Sequence, residues 1–529
     1  MTLSKLAYCL GLSSLLAVGL LACGPSSGAR ECSGGPTDTD VDPLNCGSCG
    51  NACATDYACI HGRCLAGDCQ PGESEDCYTG VDGTMDIGPC VGGERTCDEG
   101  GVWSQCIGQV VPTGENGAAC NDGVDNNCNG TIDENEDRDM DGQSTCGGDC
   151  CDSTECSKPE LVNSGSFDAP GNNFDDDCNG LDDDTQLLCD QNIASNTTNG
   201  LDFARAIDIC QTATMTDKKW GVISGALALA DGSGVPDPEA HSVRPRFGQG
   251  LMPQGGVNLA IISTGGAAAK GDLNPMYHDF VSYTHTAPNT SPYPTDWFML
   301  NNMNLPNAPG CPDPSGLIAN DPVMLKLTIR VPTNAKSFRL STNFYSAEFP
   351  EWTCSSFNDF FVVLLDSTYN GTPANPMDKN LAFYQPMGTM NKVPVGVNLG
   401  HGNTGLFTQC INGETGCSGQ AGTISTCTGT NQLTGTGFDD PESGSCDANS
   451  VTGGATGWLV TSGNVTPGEI ITLRIAVWDT SDHAFDSLAV IDGFQWSVDV
   501  AQPGTVIFNE APGLPKPPAD AFVDATRVR

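Results

Sequence analysis

Cysteine is the residue that most constrains how this chain can fold. The sequence contains 28 cysteines, which are dense from Cys32 to Cys189 and sparse after that. Apart from Cys9 and Cys23 near the N terminus they form an even set, which is typical of disulfides in an exported chain. The stretches between them are turn-rich and have few apolar residues, so crosslinks must stabilise them by restricting the unfolded chain. Spacing alone leaves the pairing open.

Residues 32–69 and 70–112 are two candidate Cys-rich modules. The first contains NCGSCGNACATDYACIHGRC, and the second contains CYTGVDGTMDIGPCVGGERTCDEGGVWSQC. A C-x2-C-x3-C spacing is also compatible with a zinc or iron–sulfur site. Export and the lack of His or Cys partners at ligand spacing favour disulfides, with Trp103 as a small core in the second module. Both stretches resemble the Cys-rich repeats of secreted myxobacterial surface proteins.

The N-terminal residues indicate the compartment. Lys5 is followed by the apolar run LAYCLGLSSLLAVGLLAC, which is shorter than a membrane span and typical of a signal peptide over residues 1–22. The run ends in LLAC and resembles a bacterial lipobox. That resemblance implies lipidation of Cys23, with residues 23–31 as anchor and tether, and a location at the cell envelope, at the outer membrane facing outward. The alternative is an ordinary signal peptide with an incidental cysteine.

The charge balance excludes one class of partner. The formal net charge is −43, from 22 Lys and Arg against 65 Asp and Glu. Nucleic acid and anionic lipid need clustered basic side chains, and the sequence has no basic patch, so no nucleic-acid partner is expected. A field of this sign suits divalent cations and an exposed location.

Residues 113–190 form an Asp/Asn/Cys-rich segment with an internal repeat. The stretch DGVDNNCNGTIDE at 122–134 matches NNFDDDCNGLDDD at 172–184, fifty residues further along the chain. The matched positions are Asp125 and Asp175, Cys128 and Cys178, Gly130 and Gly180, and Asp133 and Asp183. The four aspartates are candidate metal ligands, two in each copy of the repeat.

Between the two copies lies DRDMDGQSTCGGDCCD, which begins with a D-x-D-x-D-G ladder. Loops of this type gather alternate oxygens around one calcium ion, and the glycine permits the bend. An EF-hand needs Glu at position twelve, where this chain has Gly148, so the ladder is a calcium-loop variant without the flanking helices. The predicted ligands are Asp137, Asp139, Asp141, Asp149 and Asp152.

The ladder resembles the Asp/Cys-rich metal-binding motif of bacterial surface proteins, including a copper-binding protein of methanotrophs. In that motif DCDD follows the ladder, whereas here Cys151 stands in place of one acid, which removes a ligand or adds a crosslink. Calcium is the expected cofactor. Copper is not expected, because the softer ligands His and Met are scarce in the segment. The alternative is an acidic loop that is merely solvated.

Residues 191–500 carry the pattern of an antiparallel β-sandwich. Apolar and polar residues alternate in LKLTIRV and ITLRIAVWD, FFVVLLD and SLAVIDGFQWSV are predicted strands, and Gly, Pro and Asn turns separate the runs. A helix is predicted near LDFARAIDIC. The expected fold class is therefore mainly β: a sandwich preceded by small disulfide-rich, loop-dominated modules and followed by a Pro-rich tail at 501–529.

Two acidic stretches of this region resemble the hallmark segments of the choice-of-anchor L domain. They are NFYSAEFPEWTCSSFNDFFVVLL, with S-x-E-[YF] and F-N-D, and AVWDTSDHAFDSLAV, with D-x-x-D-x-x-x-D-S. The resemblance spans residues 195–500 and implies a choice-of-anchor L-like sandwich with a surface role and no established reaction.

The acids of these stretches lie beside apolar strands, where a carboxylate must be paired, hydrogen-bonded or bound to a metal. Lys and Arg are scarce nearby, so a second calcium site is predicted there. One alternative is a set of hydrogen-bonded turn carboxylates, and another is a general acid/base pair. The candidate ligands are Glu348, Asn358, Asp359, Asp479 and Asp486.

The sequence thus predicts a surface lipoprotein that presents a calcium-stabilised β-sandwich for adhesion, or for binding a matrix, a glycan or a surface protein. It is not predicted to be an enzyme, because its six histidines are scattered and no catalytic motif has the required context. The alternatives are a metal-dependent or carboxylate-based hydrolase of extracellular polymers, and a metal-scavenging surface protein.

We expect Cys23→Ala to release the exported protein from membranes into the soluble fraction, because it removes the side chain that would carry the lipid. Cell fractionation with immunoblotting measures this, and Cys9→Ala is the matched control within the same leader. An alanine variant that stays with the membranes would contradict the lipid anchor.

Overall fold

The structure is a computed structural model. The residues it describes are 29–32, 35–55, 57–60, 62–66, 69–98, 101–115, 119–120, 122–133, 137–152, 158–183, 188–283, 285, 289–386, 389, 391–401, 404–416, 423–440 and 453–508. The predicted signal peptide, Cys23 and residues 509–529 of the predicted tail lie outside them. The chain divides into two compact units, residues 1–134 and 135–529, and the division falls inside the predicted segment 113–190.

The fold is mainly β, with antiparallel sheets and many disulfides, as the sequence predicts. The strands of the first unit are β1 (Ala29–Cys32), β2 (Gly35–Asp38), β3 (Tyr57–Ile60), β4 (Arg63–Ala66), β5 (Ser74–Cys77) and β6 (Gly93–Thr96). They pair as three hairpins, β1 with β2, β3 with β4 and β5 with β6.

The second unit contains the remaining strands and the helices. Its strands are β7 (Gly221–Ala228), β8 (His241–Arg244), β9 (Leu259–Ser263), β10 (Thr290–Pro292), β11 (Ile318–Arg330), β12 (Ser337–Ser346), β13 (Phe360–Asp366), β14 (Phe383–Tyr384), β15 (Val393–Pro394), β16 (Gly413–Thr415), β17 (Thr423–Ser425), β18 (Gly454–Ala455), β19 (Leu459–Asn464), β20 (Ile470–Asp479), β21 (Ser487–Ser497) and β22 (Gly504–Ile507). Its helices are α1 (Gly200–Ala206) and α2 (Thr295–Leu300), with 3-10 turns at Thr145–Gly147, Pro159–Leu161 and Val397–Gly400. Within the described ranges no helix has the length and apolar character needed to cross a membrane.

Disulfides define the modules of the first unit. The first module is closed by Cys32–Cys49, Cys46–Cys59 and Cys53–Cys64, and the second by Cys69–Cys97 and Cys77–Cys106, with Cys90–Cys128 joining it to the first repeat copy. Cys69 therefore belongs with the second module rather than the first. The sulfurs of Cys46, Cys53 and Cys59 lie within 4.8 Å of one another, but each is in a disulfide and so is not a thiolate ligand.

Two antiparallel sheets build the core of the second unit. One has five strands, in the order β10-β11-β20-β13 with β7 also paired to β11; the other has seven, β22-β19-β12-β21-β9-β8 with β18 paired to β12. Alternate residues of the long strands β11, β13 and β20 face one shared cluster, so the predicted alternation is confirmed. In β20 the shared cluster takes Ile471, Leu473, Ile475 and Val477, and in β12 it takes Phe338, Leu340 and Phe344.

The opposite faces of the two sheets are also covered. Phe360, Val362 and Leu364 of β13 pack with Trp297 of α2 on one outer face. On the other, Val490 of β21 packs in a cluster that includes Phe247 and Phe438. Both sheets thus have apolar contacts on two faces, which explains the continuous apolar run FFVVLL in β13.

Helix α1 forms at the predicted place because its ends are satisfied. The side chain of Asn199 accepts a hydrogen bond from the backbone N–H of Leu201, as an N-cap does. The buried face of the helix carries Phe203, Ala204 and Ala206. A helix is therefore present at the predicted place, but it ends at Ala206, and the last four residues of LDFARAIDIC lie beyond it.

An ion-pair network attaches α2 to the five-stranded sheet. Arg474 of β20 holds Asp296 of α2 with two hydrogen bonds, of 2.9 and 2.7 Å, and contacts Asp366 at 3.1 Å. Lys379 donates to Asp296 at 2.7 Å and also pairs with Asp366. The hydrogen bonds from Arg474 hold the pKa of Asp296 well below its usual range.

We expect Asp296→Asn to lower the stability at pH 7 by about 0.5–1 kcal/mol, since the network is partly exposed. Because the folded state depresses the pKa of Asp296, its contribution is complete above the unfolded pKa of about 4 and is lost as the pH falls below that value. Thermal unfolding at pH 7 and pH 3 measures the difference, with the exposed Asp313→Asn as control. A difference that stays constant with pH would contradict this role.

Candidate metal centre

The D-x-D-x-D-G ladder builds its own turn. The carboxylate of Asp137 accepts from the backbone N–H of Gly142 at 3.0 Å, that of Asp139 from Asp141 at 3.0 Å, and that of Asp141 from Gln143 at 2.7 Å. Gly142 has a φ of +93°, which favours glycine. Each bond uses one carboxylate oxygen, so alternate side chains are held on the inside of the same bend.

The second half of the site folds back against the ladder. Asp152 accepts hydrogen bonds from the backbone N–H groups of Arg138 at 2.6 Å and Asp139 at 3.3 Å. Asp149 accepts from the backbone N–H of Cys151 at 2.7 Å. The bonds to Asp152 bring together residues more than ten positions apart in sequence.

Five carboxylates converge in two overlapping groups. The oxygens of Asp137, Asp139 and Asp141 lie within 4.8 Å of one another, and so do those of Asp139, Asp149 and Asp152. Asp149 is 1% exposed. The Oδ2 atoms of Asp139 and Asp149 are buried and have no hydrogen-bond partner among the described residues. Buried carboxylate oxygens without a donor are costly, so a cation or a proton at this point would stabilise the arrangement.

The electrostatics of the site point the same way. Burial first, and then the nearby charges of Asp141, Asp139 and Asp152, raise the pKa of Asp149 to about 7. Burial also raises the pKa values of Asp139 and Asp141. Like charges held this close disfavour one another unless a proton or a cation lies between them. The donors are all oxygens, and Met140 inside the ladder is 87% exposed, so the set fits a hard cation better than copper.

Contacts within the second unit fix the position of the ladder. Asn163 donates to Asp141 at 2.5 Å, and its own side-chain oxygen accepts from Thr333, which precedes β12, at 2.7 Å. The disulfide Cys150–Cys178 joins the ladder to the second repeat copy. Asn163 was not predicted, since no local motif marks an amide that acts twenty-two residues away.

The two repeat copies share one backbone conformation. Asp125 accepts from the N–H groups of Asn129 and Gly130 at 3.1 and 2.8 Å, and Asp175 accepts from Asn179 and Gly180 at 3.0 and 2.8 Å. The matched cysteines, Cys128 and Cys178, have φ values of +57° and +59°. The repeat seen in the sequence is thus a repeated turn.

The second aspartate of each copy closes the same turn from the other side. Asp133 accepts from the N–H groups of Asp122 and Gly123, at 3.0 and 2.9 Å, and Asp183 accepts from Asn172 and Asn173, at 3.0 and 2.9 Å. Asp125, Asp133, Asp175 and Asp183 belong to none of the close carboxylate groups of the described residues. Their observed role is to accept backbone N–H groups, and their role as ligands stays a prediction.

The acids of the two distant stretches also meet in the second unit. Ser487 donates to Asp359 at 2.6 Å, and the backbone N–H of Thr480 donates to the same carboxylate at 3.2 Å. The charge of Asp359 raises the pKa values of Glu348 and Asp479, and that of Asp486 raises the pKa of Asp479. We call Glu348, Asp359, Asp479 and Asp486 the buried acid cluster; each is at most 2% exposed.

Asn358, a predicted ligand, is bound to a different part of the chain, and Asp321, which was not predicted, lies beside the buried acid cluster. The side chain of Asn358 accepts from the backbone N–H of Asn398 at 2.7 Å and so fastens the 3-10 turn at 397–400. Asp321 of β11 lies beside Asp479 because their strands are adjacent, with Asn320 opposite Asp479. A strand register of this kind cannot be read from local sequence.

Burial dominates the protonation of this cluster. It raises the pKa of Asp359 to about 8, and the pKa values of Glu348 and Asp479 are raised well above their usual range by burial first and by the charge of Asp359 second. The hydrogen bond that Ser487 donates to Asp359 offsets part of the effect. Without a counter-charge, these acids hold protons near neutral pH.

Comparisons of the chain with models of protein families, with curated proteins and with solved structures find no match. The geometry of the sites therefore carries the functional argument.

We expect Asp175→Ala to destabilise the second unit by about 1 kcal/mol, because it removes the acceptor of two backbone N–H groups in the repeated turn. The loss should be equal with calcium and with chelator if the carboxylate only closes the turn. Chemical denaturation under both conditions measures it, with the exposed Asp182→Ala as control. A loss that appears only with calcium would show that Asp175 is a ligand.

Proposed function

We propose that this chain is an exported calcium-binding protein of the cell surface that presents its β domain for adhesion or ligand binding. The observation that carries the proposal is the convergence of five carboxylates around Asp139. One oxygen of Asp139 and one of Asp149 are buried and have no hydrogen-bond donor among the described residues. A set of oxygen donors on a flexible, turn-rich loop suits calcium, which accepts six to eight oxygens in variable geometry.

The disulfides support export. Crosslinks such as Cys32–Cys49 and Cys69–Cys97 persist in oxidising compartments and are rare in the bacterial cytosol. Together with the lipobox resemblance at Cys23, they support a lipid anchor in the membrane. The expected partner is an extracellular polymer or a surface protein.

We further propose that residues 191–500 form the choice-of-anchor L-like sandwich that their resemblance implies. Two antiparallel sheets that share one apolar cluster support this, and so does the meeting of the two hallmark segments at Asp359 and Ser487. Such a domain provides a rigid platform, while its loops supply the binding surface.

Burial favours a binding role over the hydrolase alternative. A catalytic carboxylate must reach a polymer substrate, yet Glu348, Asp359, Asp479 and Asp486 are at most 2% exposed. A cavity of about 180 Å³ beside α1 is lined mainly by apolar side chains, with Arg205 and no carboxylate. A hydrolase that uses these acids would need them to line an open cleft.

Calcium should stabilise the second unit through the ladder. At about 1 mM calcium, a site with a Kd of about 10⁻⁴–10⁻³ M contributes about 0.4–1.4 kcal/mol by mass action. We expect Asp149→Asn to reduce the calcium-dependent rise in melting temperature, because it removes the most buried carboxylate of the site. Differential scanning calorimetry with calcium and with chelator measures this, and the exposed Asp182→Asn is the control.

Equal melting temperatures of the natural protein in both conditions would overturn the calcium proposal. The metal-scavenging alternative predicts a Kd far below the range of extracellular calcium modules, and isothermal titration distinguishes it. A glycan- and cell-binding screen of the full exported chain, with calcium and with chelator, tests the adhesion role, and hydrolysis of a polymer in that screen would favour the enzyme instead.

A further inference from the structure

The buried acid cluster lies where the chain crosses between the two sheets of the second unit. Residues 347–359 lead from β12 of the seven-stranded sheet to β13 of the five-stranded sheet, and residues 480–486 lead from β20 back to β21. Both crossings are at the same end, because Ser346 pairs with Ser487 and Phe360 pairs with Trp478. Each crossing thus brings carboxylates from one sheet against those of the other.

The carboxylates of the cluster have more acceptor capacity than the surrounding donors use. Glu348 Oε2 and both carboxylate oxygens of Asp479 are buried without a hydrogen-bond partner among the described residues, and so is the Oδ1 atom of Asp321. Asp479 is 0% exposed, so water does not replace the missing donors. Hydroxyl oxygens are close by, since Ser487 also contacts Ser346 at 3.0 Å.

Positive side chains do not balance this charge. No Lys or Arg forms an ion pair with Glu348, Asp359 or Asp479 within the described part of the chain. The other ionisable groups that face the cluster are Asp237, Asp321, Asp482, Tyr283, His285 and His483. The two histidines are engaged at its margin, His483 with Asp321 at 2.6 Å and His285 with Asp237 at 3.4 Å.

We propose that the buried acid cluster binds a divalent cation, calcium by the nature of its donors, between the two sheet crossings. Glu348, Asp359 and Asp479 supply the carboxylates. Their oxygens do not approach within 4.8 Å of one another three at a time, unlike those of the ladder. Binding therefore draws the crossings together, and the ion acts as a clamp at this end of the two sheets. The proposal concerns a second site and does not depend on the ladder.

The experiment uses the full exported chain and counts bound calcium by equilibrium dialysis and isothermal titration. In an Asp149→Asn background, which impairs the ladder, calcium binding by the cluster should remain. Adding Asp479→Asn should remove one equivalent of bound calcium, because a neutral amide replaces the most buried carboxylate. The control is Asp499→Asn, which removes one charge from an exposed position of the same unit.

The melting temperature is a second measurement, in which the variant that binds less calcium should be more stable than the natural protein in chelator. In chelator, Asp479→Asn should melt higher than the natural protein, because it removes the free-energy cost of burying or protonating this acid. The rise in melting temperature on adding calcium should be smaller in the variant than in the natural protein. Glu348→Gln should behave in the same way, and it keeps the test valid if the first variant fails to fold, which circular dichroism detects.

Three outcomes are informative. Unchanged calcium stoichiometry in both cluster variants would overturn the proposal. Loss of all calcium in Asp149→Asn alone would also overturn it and would mean that protons neutralise the cluster, while the ladder proposal stands. Retention of the full stoichiometry by Asp149→Asn, with loss on Asp479→Asn, would support the cluster and count against the ladder.

Discussion

Repulsion between carboxylates is the constraint on which the rest of this structure depends. The chain has about three acids for each Lys or Arg, so most carboxylates cannot be paired with a basic side chain. Different parts of the fold therefore provide different hydrogen-bond and ion-pair partners for the carboxylates. In the repeated turns the partners are backbone N–H groups, and on the outside of the five-stranded sheet they are Arg474 and Lys379.

In the ladder and the buried acid cluster, some carboxylate oxygens have none of these partners among the described residues. Both have buried oxygens that no donor reaches, but they differ in origin. The ladder gathers acids that are neighbours in sequence, and a turn of a few residues suffices to bring them within 4.8 Å. The cluster gathers acids from strands more than a hundred residues apart, so its geometry depends on how two sheets meet. We therefore regard the ladder as a local binding loop and the cluster as a property of the whole β domain.

The sequence predicts local features of this fold better than distant ones. Alternation predicts the strands that contain Leu325 and Ile475, because one face of each strand must be apolar. The D-x-D-x-D-G spacing likewise predicts the turn around Asp139. Asn163 and Asp321 were missed because each meets its partner through tertiary packing, and the disulfide pairs were left open because spacing does not determine them. The hydrogen bond from the backbone of Asn398 to Asn358 was also not predicted, because it joins residues forty positions apart, and the role of Asn358 as a ligand stays a prediction.

The bond between Cys150 and Cys178 has a consequence for when the ladder can work. It closes a loop of 28 residues, which restricts the unfolded chain by about 3–4 kcal/mol, and Asp149 is the residue directly before it. While the two cysteines are thiols, this crosslink does not hold Asp149 near the ladder, and the entropy of that loop opposes the folded arrangement of its carboxylate. Formation of the Cys150–Cys178 disulfide removes this entropic cost before the carboxylates are brought together. Under the proposed function, a chain that has not yet reached an oxidising compartment would be a weaker ligand for cations, and export would determine where the protein acquires its metal.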